Sequence, residues 1–154
     1  MIALGSDHVG IELKRSVMEL LKEKGIDFRD YGTYTEERCN YPEYALSAAK
    51  AVQSGECERG ILCCGTGVGI SIAANKVKGI RCVCCSDPYS ALLSREHNDT
   101  NMLAMGSRVV GADLAKMIVD AWLGGVFEGG RHAVRVAQIA EIETTGTIKM
   151  EISL

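Results

Sequence analysis

The residues best suited to chemistry in this chain lie together in Cys64-Gly65-Thr66-Gly67-Val68-Gly69. An apolar run, Gly60-Ile61-Leu62-Cys63, leads into a thiol, then into alternating glycines, then into the small-residue stretch Ile70-Ser71-Ile72-Ala73-Ala74. That order predicts a buried strand, a tight loop and a helix N-terminus. Cys64 stands where the strand enters the loop, facing the positive end of the helix dipole, a position that makes a thiolate available. Glycine amides in such a loop can converge on one anion. The same glycines also suit close strand–helix packing, and the loop alone leaves both readings open. Its spacing is not that of the dinucleotide fingerprint, and it lacks the Lys-Ser/Thr of the NTPase phosphate loop, which argues against a nucleotide.

Other candidates are scattered. Asp7-His8 follows the short apolar run Ile2-Ala3-Leu4, and His97 lies in the polar stretch Arg95-Glu96-His97-Asn98-Asp99-Thr100-Asn101. Arg131 and Arg135 are spaced i, i+4 after Gly129-Gly130, so they share one face of a helix start. Such a pair is either a solvated face or a phosphate clamp. His132, between helix-start residues, is expected at the surface. The seven cysteines are an odd number, and Cys63, Cys64, Cys82, Cys84 and Cys85 fall in strand-like runs. On a strand Cys82 and Cys85 point to opposite faces, which disfavours a zinc site. Most of these thiols read as small buried hydrophobes in a reducing compartment.

The elements that must position these groups alternate along the chain. Strands are predicted at Ile2–Leu4, Ile26–Tyr31, Gly60–Cys64, Ile80–Cys85 and Asn101–Met105, the second with charges that suit a sheet edge. Between them run helical patterns. Leu13, Val17, Leu20 and Leu21 stripe the first, from Gly10 to Lys24; Pro42 opens the second at its first position; the third follows the glycine loop. Ser86-Asp87-Pro88 caps a helix to about Glu96. Further helices are predicted over Ala112–Leu123 and from Arg131 to about Glu143. This alternation predicts a single α/β domain, a Rossmann-like α/β/α sandwich on a five-stranded parallel sheet. Ligands of such sheets bind at the carboxyl ends of the strands, which groups Asp7 and His8, Cys64–Gly69 and the Ser86-Asp87 turn. Residues 1–143 form the domain and 144–154 a tail, within which Thr147–Ile152 alternates like an unpartnered strand.

Bulk properties narrow the function. With 154 residues, the chain is long enough to bury about 68–70% of its unfolded surface as one domain. A net charge of −3 and a pI near 5.6 supply no basic field for nucleic acid or an anionic membrane. No apolar stretch approaches the roughly 20 residues of a membrane span, and the N-terminus lacks the basic flank of a signal peptide. A soluble, cytoplasmic protein is expected.

Taken in order, Asp7-His8-Val9-Gly10, Cys64-Gly65-Thr66-Gly67-Val68-Gly69, His97-Asn98-Asp99, Gly106-Ser107-Arg108 and Gly129-Gly130-Arg131-His132 resemble the ribose-5-phosphate isomerase type B family, which includes galactose- and allose-6-phosphate isomerases. The resemblance spans about residues 1–143. It implies metal- and cofactor-free interconversion of an aldose and a ketose phosphate through an enediolate, ribose 5-phosphate and ribulose 5-phosphate before a hexose phosphate. By that resemblance Cys64 is the base between C1 and C2, His97 opens the sugar ring, and Thr66 assists proton transfer between oxygens. Gly65, Gly67, Val68 and Gly69 hold the enediolate oxygens, and Asp7, Tyr41 and Asn98 contact the sugar. His8, Arg131 and Arg135, with Arg108, bind the phosphate. Homodimers or homotetramers are implied, with sites shared between subunits and His97, Asn98 and Arg108 serving the neighbour. Some relatives place a carboxylate base just after the glycine loop; Ile70 stands there here, leaving the thiol. A non-catalytic sugar-phosphate binder would need no thiol, and a thiol redox protein would need a resolving cysteine on the same face as Cys64.

Overall fold

The computed structural model describes residues 1–149. Strands β1 (Ile2–Ser6), β2 (Phe28–Asp30), β3 (Arg59–Cys64), β4 (Cys82–Cys84) and β5 (Met102–Gly106) form one sheet in the order β2-β1-β3-β5-β4. Every pairing is parallel, with Leu4 beside Ile61 and Cys64 beside Gly106. The helices are α1 (Ile11–Glu23), α2 (Tyr41–Gln53), α3 (Val68–Ala74), α4 (Pro88–Asn98), α5 (Ala112–Gly124) and α6 (Arg131–Thr145). The α/β sandwich expected from the alternation is present, with the charged β2 at one edge.

Alternation of side chains along each strand splits the core in two. Leu4, Ile61, Cys63, Leu103 and Met105 face one layer with Leu13, Val17 and Leu21 of α1 and Ile118, Val119 and Trp122 of α5. Ala3, Leu62, Cys64, Met102 and Ala104 face the other, against the alanine stripe of α2 and Ile70 and Ala74 of α3. The small residues of α2 let that helix approach closely. Adjacent Cys63 and Cys64 therefore belong to opposite faces, and so do Cys82 and Cys85. Lys14 sits within the apolar stripe of α1 and is fully buried. Its ammonium donates to Asp30 Oδ1 at 2.7 Å and to the Thr33 carbonyl at 2.6 Å, tying α1 to the end of β2.

Boundaries differ from the expected ones for local reasons. β1 extends to Ser6. Pro42 is the second helical residue, because α2 starts at Tyr41. β4 keeps only Cys82–Cys84: Ile80 is held in a turn, its N–H donating to the Val77 carbonyl at 3.1 Å. Asp87 caps α4 as its position suggested, accepting from the Ser90 N–H at 2.7 Å. The helix runs past Glu96 to Asn98 and stops at Asp99, a left-handed residue with φ 46°. His97 thus belongs to a helical last turn, not to a free loop. α6 runs on to Thr145, so the first residues of the expected tail are helical, closed by left-handed Gly146. Thr147–Lys149 form no strand; the rest of the strand-like Thr147–Ile152 reading, from residue 150 on, lies outside the described residues.

Candidate active site

The thiol loop is built by the register of β1, β3 and β5. Cys64 ends β3, buried, and its Sγ accepts the Gly67 N–H at 3.1 Å, so the loop folds back on the sulfur. Gly67 makes that turn possible with φ +79°; a Cβ there would lie 2.8 Å from the Met105 carbonyl carbon. Gly69 has a different constraint, since a Cβ would fall 2.7 Å from the ring of Tyr41. Thr66 is exposed on the loop, and its hydroxyl accepts from the Val68 N–H at 3.4 Å.

Neighbouring strand ends brace this loop. Asp7, buried at the end of β1, accepts at Oδ1 from the N–H groups of Val9 (3.0 Å) and Gly10 (2.8 Å). Ser107, beyond β5, donates a backbone N–H to the Cys64 carbonyl at 2.9 Å, and its hydroxyl reaches the Val9 and Cys64 carbonyls at 2.9 and 3.2 Å. It stitches the three strand ends together, a role nothing in the motif Gly106-Ser107-Arg108 announces. Arg108, expected to serve the neighbour, instead lines the thiol cavity of its own chain, because its N–H donates to the Gly65 carbonyl at 3.0 Å. The resulting cavity, about 380 Å³, is lined by Asp7, Val9, Tyr41, Cys64, Gly65, Thr66, Val68, Gly69 and Arg108. His8 stands beside it with its Nδ1 accepting the Cys39 N–H at 3.3 Å, which leaves Nε2 as the donor of the neutral ring.

His97, Asn98, Arg131 and Arg135 are not in this cavity. Helix α4 returns the chain from the carboxyl end of β4 to the amino end of β5, so its last turn lies at the opposite edge of the sheet from Cys64. The five residues of β5 alone separate the two edges by roughly 16 Å. Asn98 instead lines a larger, mostly apolar cavity of about 540 Å³ with Ile80, Arg81, Ile139 and Ile142. Its size does not make it the reaction centre, because the thiol, the amide loop and Asp7 all line the smaller one.

His132 corrects an expectation. It is buried, because the segment before α6 folds onto α4: the Glu128 N–H donates to the Glu96 carbonyl at 3.0 Å. Its ring lies flat on that of His97, with centroids 4.2 Å apart. Burial, followed by the charges of His97 and Arg131, pushes its pKa down. Cys63, wholly enclosed, has its thiol pushed up to about 12 by burial and is no second nucleophile.

A buried thiol that accepts a glycine-loop N–H, with a buried carboxylate in the same cavity at the carboxyl edge of a parallel sheet, defines a class: a single-domain α/β protein with its reactive groups where such sheets bind ligands. The comparisons narrow it. A family model described as Ribose/Galactose Isomerase matches residues 2–139, and the chain belongs to that family. It is 63% identical over 142 residues to the ribose-5-phosphate isomerase B of Escherichia coli K12, covering 92% of this chain and 95% of that one. A solved ribose-5-phosphate isomerase B from Clostridium thermocellum superposes with a TM-score of 0.93 at 56% identity, covering 95% of this chain and 99% of that one. The enzyme of Mycoplasma genitalium, solved with bound ribulose-5-phosphate, gives 0.89 at 39% identity, covering 94% and 96%. The chain is a sugar-phosphate isomerase. Among the described residues no helix is long and apolar enough to cross a membrane.

Proposed function

We propose that this enzyme interconverts ribose 5-phosphate and ribulose 5-phosphate through an enediolate. The observation that carries the reading is the Cys64 cavity: a thiol held by the Gly67 N–H, with Gly65, Thr66, Val68 and Gly69 lining the space and Asp7 at its side. Cys64 removes the proton from the carbon beside the carbonyl and returns it to the neighbouring carbon. The oxygen that gains charge is met by the preorganised amides, each worth about 2.7–4 kcal/mol of transition-state stabilisation in comparable sites. Thr66 passes the proton between the two oxygens, while Asp7 and Tyr41 hold hydroxyls. His8 offers its Nε2–H to the phosphate with Arg108.

Ring opening is assigned to His97, with Asn98 beside it and Arg131 and Arg135 completing the phosphate clamp. Because these four lie at the other edge of the sheet, they act in the cavity of a second copy, and the working enzyme is a homodimer or a larger homo-oligomer. No organic cofactor is required, because the acid, the base and the oxyanion donors are all protein groups. All seven cysteines are free, which fits a reducing compartment, the cytoplasm.

The test is a coupled assay of metal-stripped protein with ribose 5-phosphate and allose 6-phosphate side by side. Turnover of ribose 5-phosphate, preferred over the hexose phosphate, is the expected result. Preference for allose 6-phosphate would overturn the substrate assignment, and inactivity on both would overturn the reaction.

A further inference from the structure

Away from the thiol cavity, the described residues gather two imidazoles and a carboxylate at the junction of α4 and α6. The rings of His97 and His132 are stacked, 4.2 Å between centroids and within 2° of parallel. Glu128 reaches both: its Oε2 lies 3.5 Å from His132 Nε2 and 3.9 Å from His97 Nε2. The Glu128 N–H to Glu96 carbonyl bond anchors the main chain from which this half-exposed carboxylate projects, and the His132 N–H donates to the Gly129 carbonyl at 3.0 Å.

Packing alone does not explain the choice of residues. His132 is only 5% exposed, and its Nε2 is buried with no hydrogen-bond partner. A buried polar atom left unpaired is unfavourable, and an apolar ring would fill the same space without that cost. What histidine adds is a nitrogen directed at Glu128. Burial, then the facing charges of His97 and Arg131, push the His132 pKa down, against the opposing pull of Glu128.

We propose that His132 and Glu128 are positioning residues for His97. His132 fixes the plane of the His97 ring by stacking, and the Glu128 carboxylate, within ion-pair reach of both Nε2 atoms, sets the direction in which His97 Nε2 faces. The assignment rests on the reading of His97 as the group that opens the sugar ring. It adds to that reading a pair of residues that touch neither the substrate nor the reacting carbons.

The test separates ring opening from proton transfer at carbon. Ribulose 5-phosphate cannot close a five-membered ring, because its C5 oxygen carries the phosphate, so deuterium uptake at its C1 from D2O reads the Cys64 step alone. Conversion of ribose 5-phosphate, which is cyclic, requires both steps. In the full-length enzyme, Glu128→Gln and His132→Phe are each expected to lower kcat on ribose 5-phosphate about tenfold while KM and C1 exchange stay within about twofold. The double variant should lose about tenfold as well, since the two act as one unit. Glu128→Asp should recover most of the turnover.

Equal loss of exchange and turnover in the single variants would reduce both residues to structural supports and overturn the proposal, as would unchanged kcat or a roughly hundredfold, additive loss in the double variant. A wild-type enzyme showing neither turnover nor exchange would instead bring down the underlying isomerase reading.

Discussion

Cys64 closes β3 at the carboxyl edge of the sheet, and His97 lies in the last turn of α4 at the amino edge of the same sheet. No rotation of side chains within one chain brings them to a common substrate. If both act on one sugar, each site takes its thiol from one copy and its imidazole from another. Mixing Cys64→Ser with His97→Asn protein, each inactive alone, should therefore restore activity after subunit exchange. In a dimer the mixed species carries one intact site, so a one-to-one mixture should reach about a quarter of wild-type activity. No recovery from subunits that have demonstrably exchanged would place the whole site within one chain.

The turn beneath the thiol is the most tightly fitted part of the cavity. A methyl group at Gly67 meets backbone at 2.8 Å and Cys84 Sγ at 2.9 Å, in a left-handed conformation. Gly67→Ala should lower stability by about 1–3 kcal/mol and reduce kcat, because the amide under Cys64 shifts. Gly25 is the control: its φ is +64° but the space around it is open. Gly25→Ala should cost about 1–2 kcal/mol, the left-handed strain alone, and leave kcat unchanged. Urea midpoints and initial rates on both variants decide it; wild-type kcat in Gly67→Ala would remove the loop from the mechanism.

How much of this was legible in the sequence depends on the range of the forces involved. Local signals read true. The stripe of Leu13, Val17, Leu20 and Leu21 buries α1, Asp87 caps α4, and the strand–loop–helix order puts Cys64 at a loop entry. The period of two also put Cys82 and Cys85 on opposite faces, as they are. The misses are long-range. Lys14 lies in the buried stripe of α1 because Asp30 and the Thr33 carbonyl, more than a dozen residues on, wait for its ammonium. His132 looked like a surface residue because only the return of Glu128 onto α4 covers it. The distance between His97 and Cys64 of one chain was implied by the family resemblance and not by any motif spacing; its physical reason is the direction of α4. Ser107 was visible only as a companion of Arg108, and its hydroxyl proves to be the tie between strand ends.

The Lys14–Asp30 pair offers a test of the fold independent of catalysis. Lys14 is 2% exposed and Asp30 18%. Lys14→Met fills similar volume but leaves the Asp30 carboxylate with no cation beside it, and removal of one partner from such a buried pair costs about 3–5 kcal/mol. Lys14→Met with Asp30→Asn should recover part of that loss, since no orphaned charge remains. Denaturation of the single and double variants measures it. A single variant within about 1 kcal/mol of wild type would show the pair to be solvated in solution.

The buried His132 predicts how stability responds to acid. Its folded pKa lies below the ordinary 6.5, through burial first and then the charges of His97 and Arg131. The unfolded chain therefore binds a proton at this site at pH values where the folded chain does not. Stability from this group is complete above the unfolded pKa of about 6.5 and is lost as pH falls from there through the lower folded value. Midpoints of urea unfolding should accordingly drop between about pH 7.5 and 5.5 more steeply in the wild type than in His132→Phe, which has no proton to take up. Parallel pH profiles for the two proteins would mean that His132 titrates alike folded and unfolded, and that the α4–α6 junction opens in solution.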